Sequence, residues 1–216
     1  MTDLPSFIHG PVSGTSPSAC VVLLHGLGAD GADLIELAPA LAAALPDAVF
    51  LAPDAPQPCD LAPFGRQWFS LQSRLPADMA RGAEAASPIL AAFLHATLER
   101  FTLPPSALAL LGFSQGAMMA LQVGLRMAPA PAAIVGLSGR FLETGPLPGP
   151  PRPPVLLVHG EADDVVPFTE LAAARAALGR LGVAVEAHAR PRLGHAIDPD
   201  SVRPAAAFLR RHLIRT

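Results

Sequence analysis

Lysine, asparagine and tyrosine are absent from this sequence, and it holds a single tryptophan and two cysteines. All fifteen basic residues are therefore arginines. Together with abundant Ala and Pro, that skew reads as mutational bias of the source genome, since Arg for Lys on a helix surface changes no site. A net charge of -3 gives no basic field for a polyanion, so no nucleic-acid partner is expected. No apolar run reaches the roughly 18 residues of a membrane span, and no stable membrane insertion is expected. The start, Met1-Thr2-Asp3-Leu4-Pro5, lacks the basic and apolar regions of a signal peptide, which makes the cytoplasm the expected location. Cys20, in a strand-like run, and Cys59, in a loop, are then expected as free thiols. No cluster of His, Cys and acids has metal-ligand spacing, so no metal and no cofactor are expected. Internal repeats and low-complexity tails are lacking too.

What the sequence does contain is a serine between glycines, Gly112-Phe113-Ser114-Gln115-Gly116. Before it, Ala107-Leu108-Ala109-Leu110-Leu111 is an apolar run of buried-strand length. After it, Ala117 to Leu125 carries apolar residues at helical spacing with no proline. A serine on a sharp strand-to-helix turn, with glycine two residues away on either side, is the nucleophile elbow of an α/β-hydrolase. Side chains at 112 and 116 would collide where strand and helix nearly touch.

A serine hydroxyl is a poor nucleophile, so this reading needs a base and an acid to orient it. In this fold they follow in the order Ser, Asp, His. Pro154 to His159 is another apolar strand, opening into Gly160-Glu161-Ala162-Asp163-Asp164-Val165-Val166-Pro167. An acid leaving the carboxyl end of a parallel strand sits where such folds place catalytic groups, and both Asp163 and Asp164 qualify. Val183 to Ala189 alternates as a last strand, and Gly194-His195-Ala196-Ile197 follows in a loop. His195 is therefore the candidate base. His25 and His159 each close a strand in a His-Gly pair, where an imidazole most often bonds loop backbone. His188 falls inside a strand, and His9, His95 and His212 have nothing to single them out. Asp198, just before Pro199, reads as a helix-start residue.

The third requirement is a pair of oxyanion donors: the N–H after the nucleophile, here Gln115, and one from an early strand-to-helix loop. Ala19 to Leu24 is an early strand, and His25-Gly26-Leu27-Gly28-Ala29-Asp30-Gly31 follows it. Its glycines let backbone approach a ligand closely, which makes the Leu27 N–H the second candidate. The same stretch spells G-x-G-x-x-G. A dinucleotide site also needs an acid ending a second strand about 20 residues on, yet Asp47 precedes Ala48-Val49-Phe50-Leu51 and Asp54 lies past Pro53. Nucleotide binding is not expected.

Taken in order, these spellings resemble the small carboxylesterase/phospholipase family of α/β-hydrolases, which includes the acyl-protein thioesterases. The matching pieces are Leu24-His25-Gly26-Leu27-Gly28-Ala29-Asp30, Ala52-Pro53-Asp54-Ala55-Pro56, Gln67-Trp68-Phe69, the elbow, Leu137-Ser138-Gly139, His159-Gly160-Glu161-Ala162-Asp163 with Val166-Pro167, and Gly194-His195. The resemblance implies that the catalytic acid is the fifth residue counted from the histidine of the His-Gly pair, which is Asp163. It also implies Leu27 and Gln115 as oxyanion donors and carboxylic ester hydrolysis as the activity. Thioesterase members usually carry Pro-Ser-Trp where this chain has Gly65-Arg66-Gln67-Trp68. That departure favours a carboxylesterase or lysophospholipase-like activity, with protein depalmitoylation as the alternative. A binding protein on the same fold is the competing reading from another class, and the intact triad argues against it.

The expected elements are strand 19–24, helix 33–45, strand 48–51, a long loop 53–76, helix 78–100, strand 107–113, helix 115–127, strand 132–137, strand 154–159, helix 168–181, strand 183–189 and helix 199–212. Phe7 to Val12 adds an expected edge strand. Such alternation implies an α/β-hydrolase fold with a mainly parallel sheet, helices on both faces and no large cap, formed as one domain over 1–216. The proline-crowded run 145–154 is expected as a stiff loop, since the triad straddles it. The loop 53–76 is long enough to be functional. It offers Leu61, Phe64, Trp68, Phe69 and Leu71 as an apolar substrate wall, with Phe141, Leu142, Val166 and Phe168 opposite; packing in the core is the equal alternative for each. The expected partner is a small-molecule ester, and the pairing of two copies as a homodimer is left open.

Overall fold

Strands buried on both faces need short unbroken apolar runs, and the glycines and prolines between them make the loops. The computed structural model describes residues 4–214. In chain order it holds β1 (Ser6–His9), β2 (Ala19–Leu24), α1 (Gly31–Ile35), α2 (Ala38–Ala42) and β3 (Ala48–Pro53). Two short strands follow, β4 (Gln57–Pro58) and β5 (Arg66–Gln67), then α3 (Pro76–Phe101), β6 (Leu108–Phe113), α4 (Gln115–Gly124) and β7 (Ala133–Leu137). The last elements are β8 (Val155–Gly160), α5 (Thr169–Arg180), β9 (Val185–Arg190) and α6 (Pro199–Leu213). Seven strands form one sheet in the order β1-β3-β2-β6-β7-β8-β9. Only β1 runs antiparallel to its neighbour.

Alternation along the strands divides the core into two layers. Cys20, Val22 and Leu24 of β2 meet Leu90 and Leu94 of α3 and Met119 and Val123 of α4 on one face. On the other, Val21 and Leu23 meet Leu34, Leu41, Phe208 and Leu209 from α1, α2 and α6. Each large apolar side chain so buried is worth roughly 1.5–3 kcal/mol. Cys20 belongs to this packing: burial pushes its thiol up to about 12, and both cysteines are free.

Several boundaries differ from the sequence reading, each for a local reason. The single helix expected over 33–45 is two short ones, because Pro39 has no N–H to donate and its ring crowds the carbonyl of Ile35, where α1 ends. The edge strand stops at His9, before Pro11, which cannot donate to a ladder. Within 53–76, β4 and β5 pair as a small antiparallel ladder. Asp198 does start a helix, accepting the Ser201 N–H at 2.8 Å. The Arg190 guanidinium, with Ser201, holds its carboxyl down at about 2. The stability from this depressed carboxylate is complete above the unfolded value of about 3.9 and is lost only as pH falls through the folded one. Among the described residues no helix is long and apolar enough to cross a membrane.

Candidate active site

The carboxyl ends of β2, β6, β8 and β9 lead into the loops that carry the candidate residues, so the parallel sheet gathers them at one edge. Between β6 and α4 the chain reverses sharply at Ser114, which has φ 53° and ψ -116°. A non-glycine residue held there stores about 1–3 kcal/mol of strain. Close approach explains the flanking glycines: a Cβ on Gly116 would lie 1.9 Å from the Leu24 carbonyl oxygen, and one on Gly112 would lie 2.2 Å from the Gly116 oxygen.

The structure brings Ser114, His195 and Asp163 together from three separate loops. His195 Nε2 lies 3.0 Å from Ser114 Oγ, and its Nδ1 lies 2.8 Å from Asp163 Oδ2. A carboxylate can only accept, so Nδ1 carries the hydrogen and the Nε2 lone pair faces the hydroxyl. Phe113 packs on the imidazole, with ring centroids 4.9 Å apart. Asp163 Oδ1 accepts N–H bonds from Val165 at 3.0 Å and Val166 at 2.8 Å. Burial alone would raise this carboxyl, but the His195 hydrogen bond and the Val166 and Val165 N–H groups outweigh it, and it titrates below its ordinary value. Asp164, its neighbour, is exposed.

The loop after β2 lies against the elbow, where a Cβ on Gly26 would come within 3.3 Å of the Ser114 Cβ. Among the described residues, neither the Leu27 nor the Gln115 N–H donates to a protein acceptor. His25 has the structural part expected of it: Nδ1 donates to the Gly26 carbonyl at 2.7 Å and Nε2 accepts the Ala55 N–H at 2.9 Å. Burial lowers its pKa, in keeping with a neutral ring.

Two residues of the expected apolar wall turn into the core instead. Trp68 is 1% exposed and Phe69 3%, and both lie in the core layer of α3 and α4, so neither ring has surface to offer a ligand. The reason is hydrogen bonding that the sequence reading missed. Gln115 Oε1 accepts the Trp68 N–H at 2.9 Å, Gln115 Nε2 donates to the Phe69 carbonyl at 2.7 Å, and the indole N–H donates to the His25 carbonyl at 3.0 Å. Trp68 thus ties the loop to the elbow from beneath. Arg66 adds two bonds, to the carbonyls of Ala55 at 2.8 Å and Pro56 at 2.9 Å. Phe64 is 73% exposed and sits beside the loop after β2, since its neighbour Gly65 packs on Gly28. Val166 is buried, and Phe168 sets its ring edge against His159. Trp68→Ala is therefore expected to lower stability by ~3–5 kcal/mol and to slow every ester alike. A melting curve beside an acetate, butyrate and octanoate series checks this, and a changed chain-length preference at unchanged stability would restore Trp68 to the wall.

A doubly covered, mainly parallel sheet with a strained serine on a strand-to-helix turn defines an α/β-hydrolase. Within that class the chain belongs to the Phospholipase/Carboxylesterase family, whose model matches residues 12–213. It is similar to esterase YpfH of Escherichia coli, at 30% identity over 191 residues covering 88% of this chain and 81% of that one. It is also similar to acyl-protein thioesterase 1 of Mycosarcoma maydis, at 29% identity over 98% of each chain. Among solved structures, esterase PE8 has 40% identity and a TM-score of 0.88 over 98% of this chain and 100% of its own. The protein is a carboxylic ester hydrolase.

Proposed function

We propose that this hydrolase cleaves small carboxylic esters through Ser114, His195 and Asp163, within one domain that comprises the whole chain. The observation that carries the reading is the unbroken series of hydrogen bonds from Asp163 through His195 to the Ser114 hydroxyl. His195 Nε2 takes the proton as Ser114 Oγ attacks the ester carbonyl, and Asp163 stabilises the imidazolium that forms. The Leu27 and Gln115 N–H groups, free of protein acceptors, receive the oxyanion. The imidazolium returns its proton to the leaving alcohol, and water then releases the acid by the same steps. Phe64, whose neighbour Gly65 packs on the loop after β2, and Val165, close to Asp163 in sequence, are exposed apolar side chains, which would suit an acyl chain.

The relationship to a protein named acyl-protein thioesterase favours thioester cleavage as a second reading, whereas the Gly65-Arg66-Gln67-Trp68 spelling favours simple esters. Comparing p-nitrophenyl esters with acyl thioesters of matched chain length separates them. Two unbridged cysteines suit a reducing compartment, and we place the protein in the cytoplasm on that ground, with cell fractionation as the check.

A fluorophosphonate needs an activated serine, so it should label the native chain at Ser114 and fail on His195→Ala; labelling elsewhere would overturn the assignment. The pH profile gives a second test. The carboxyl of Asp163 titrates below its ordinary value, so it is ionised across the mildly acidic range. That carboxyl then adds no ionisation of its own there, and log kcat/KM should rise with pH at unit slope for a single general base. A slope of two would require a second ionisation.

A further inference from the structure

His159 is the penultimate residue of β8, four residues before Asp163, and is 2% exposed. Its Nε2 lies 2.9 Å from the Val166 carbonyl oxygen and 3.3 Å from Asp163 Oδ2. A carbonyl only accepts, so Nε2 carries a hydrogen and donates it to Val166, while Asp163 Oδ2 lies near the same nitrogen without a hydrogen bond to it. Val166 is held at both ends, since its N–H donates to Asp163 Oδ1 at 2.8 Å while its carbonyl receives His159. The bonds thus run from His159 through Val166 to Asp163. That loop is in turn packed on the one bearing His195, with the Ala162 N–H donating to the Leu193 carbonyl at 2.9 Å.

The terminal torsion of an aspartate is broad and two-fold, so rotamer preference alone does not fix where its oxygens point. The partners must fix it. Val165 and Val166 hold Oδ1, which leaves Oδ2 facing two imidazoles, His195 at 2.8 Å and His159 at 3.3 Å. We propose that His159 is a positioning residue for the reaction: its Nε2–H holds the Val166 carbonyl and so fixes the Val166 N–H that, with Val165, sets the carboxylate that orients His195. This rests on Asp163 being the triad acid. His159 touches neither the substrate nor the reacting atoms and acts only through Asp163.

The test is a double-mutant cycle on a p-nitrophenyl ester. His159→Leu, which removes the donor at similar volume, should lower kcat by about 10- to 100-fold with KM unchanged. His159→Gln, whose amide N–H can stand in for Nε2–H, should recover most of that loss. In an Asp163→Asn background, His159→Leu should cost less than about twofold further, because the carboxylate it positions is gone. An equal cost in both backgrounds, tracking a lower Tm and not rescued by glutamine, would overturn the proposal as mere packing. Should His159→Leu fail to fold, His159→Asn replaces it, since its shorter amide reaches the Nδ1 position and not the Nε2 position. Full activity in Asp163→Asn alone would remove the triad assignment itself and the proposal with it, a result distinct from failure of the cycle.

Discussion

Ser114→Ala and His195→Ala should each lower kcat by roughly 10⁴- to 10⁶-fold, and the double variant should be little worse than either single one. The reason lies in the geometry of the 3.0 Å contact between His195 Nε2 and Ser114 Oγ. Without the imidazole the hydroxyl keeps its proton during attack, and without the hydroxyl the imidazole has nothing to activate. Each loss therefore removes the same step. What survives is the residual catalysis of the Leu27 and Gln115 N–H groups and of substrate binding, roughly 10³–10⁴ over water. Ser114→Ala should also fold close to the parent, because alanine keeps the turn and the one partner lost is the hydroxyl on His195 Nε2. Measuring kcat for both singles and the double, with a Tm for each, checks the prediction. Additive losses would mean that the two residues act in separate steps.

Most of the fold was legible because parallel strands buried on both faces have to be apolar runs; β2 and β6 lie within one residue of the expected bounds. The elbow was legible for a steric reason, since a Cβ at position 116 or 112 would lie 1.9 or 2.2 Å from a carbonyl oxygen, which leaves room only for glycine. Less legible was anything decided by a contact between distant segments. Nothing in the run Gln67-Trp68-Phe69 announces that the Gln115 side chain, nearly fifty residues on, will pin its backbone and turn the indole inward. An apolar wall and a core seal are spelled alike. His159 shows the same limit: a His-Gly pair at a strand end suggests a loop-backbone bond, and one is present at Val166. The approach of the same nitrogen to Asp163 depends on how tightly the loop 160–166 closes, which spacing alone does not state. The break between α1 and α2 was available from Pro39 and was missed by reading the apolar period alone.

The neighbouring acids Asp163 and Asp164 give the sharpest test of the site, because only their surroundings tell them apart. Asp163→Asn should cost about 10⁴ in kcat. Asparagine keeps the shape and can still accept the Val165 and Val166 N–H bonds, so the fold should survive. Its amide N–H₂, however, would face His195 Nδ1 where a carboxylate oxygen now lies at 2.8 Å. That reverses the hydrogen bond: Nδ1 must become the acceptor, the ring hydrogen moves to Nε2, and the lone pair that should receive the serine proton is gone. The imidazolium formed during attack loses its counter-charge as well. Asp164→Asn should change kcat little, since that side chain is exposed. Both variants should melt close to the parent, which keeps the comparison free of misfolding. If Asp164→Asn were instead the crippled enzyme, the triad would move by one residue, and the 2.8 Å bond from His195 to Asp163 would describe a resting geometry and not the reactive one.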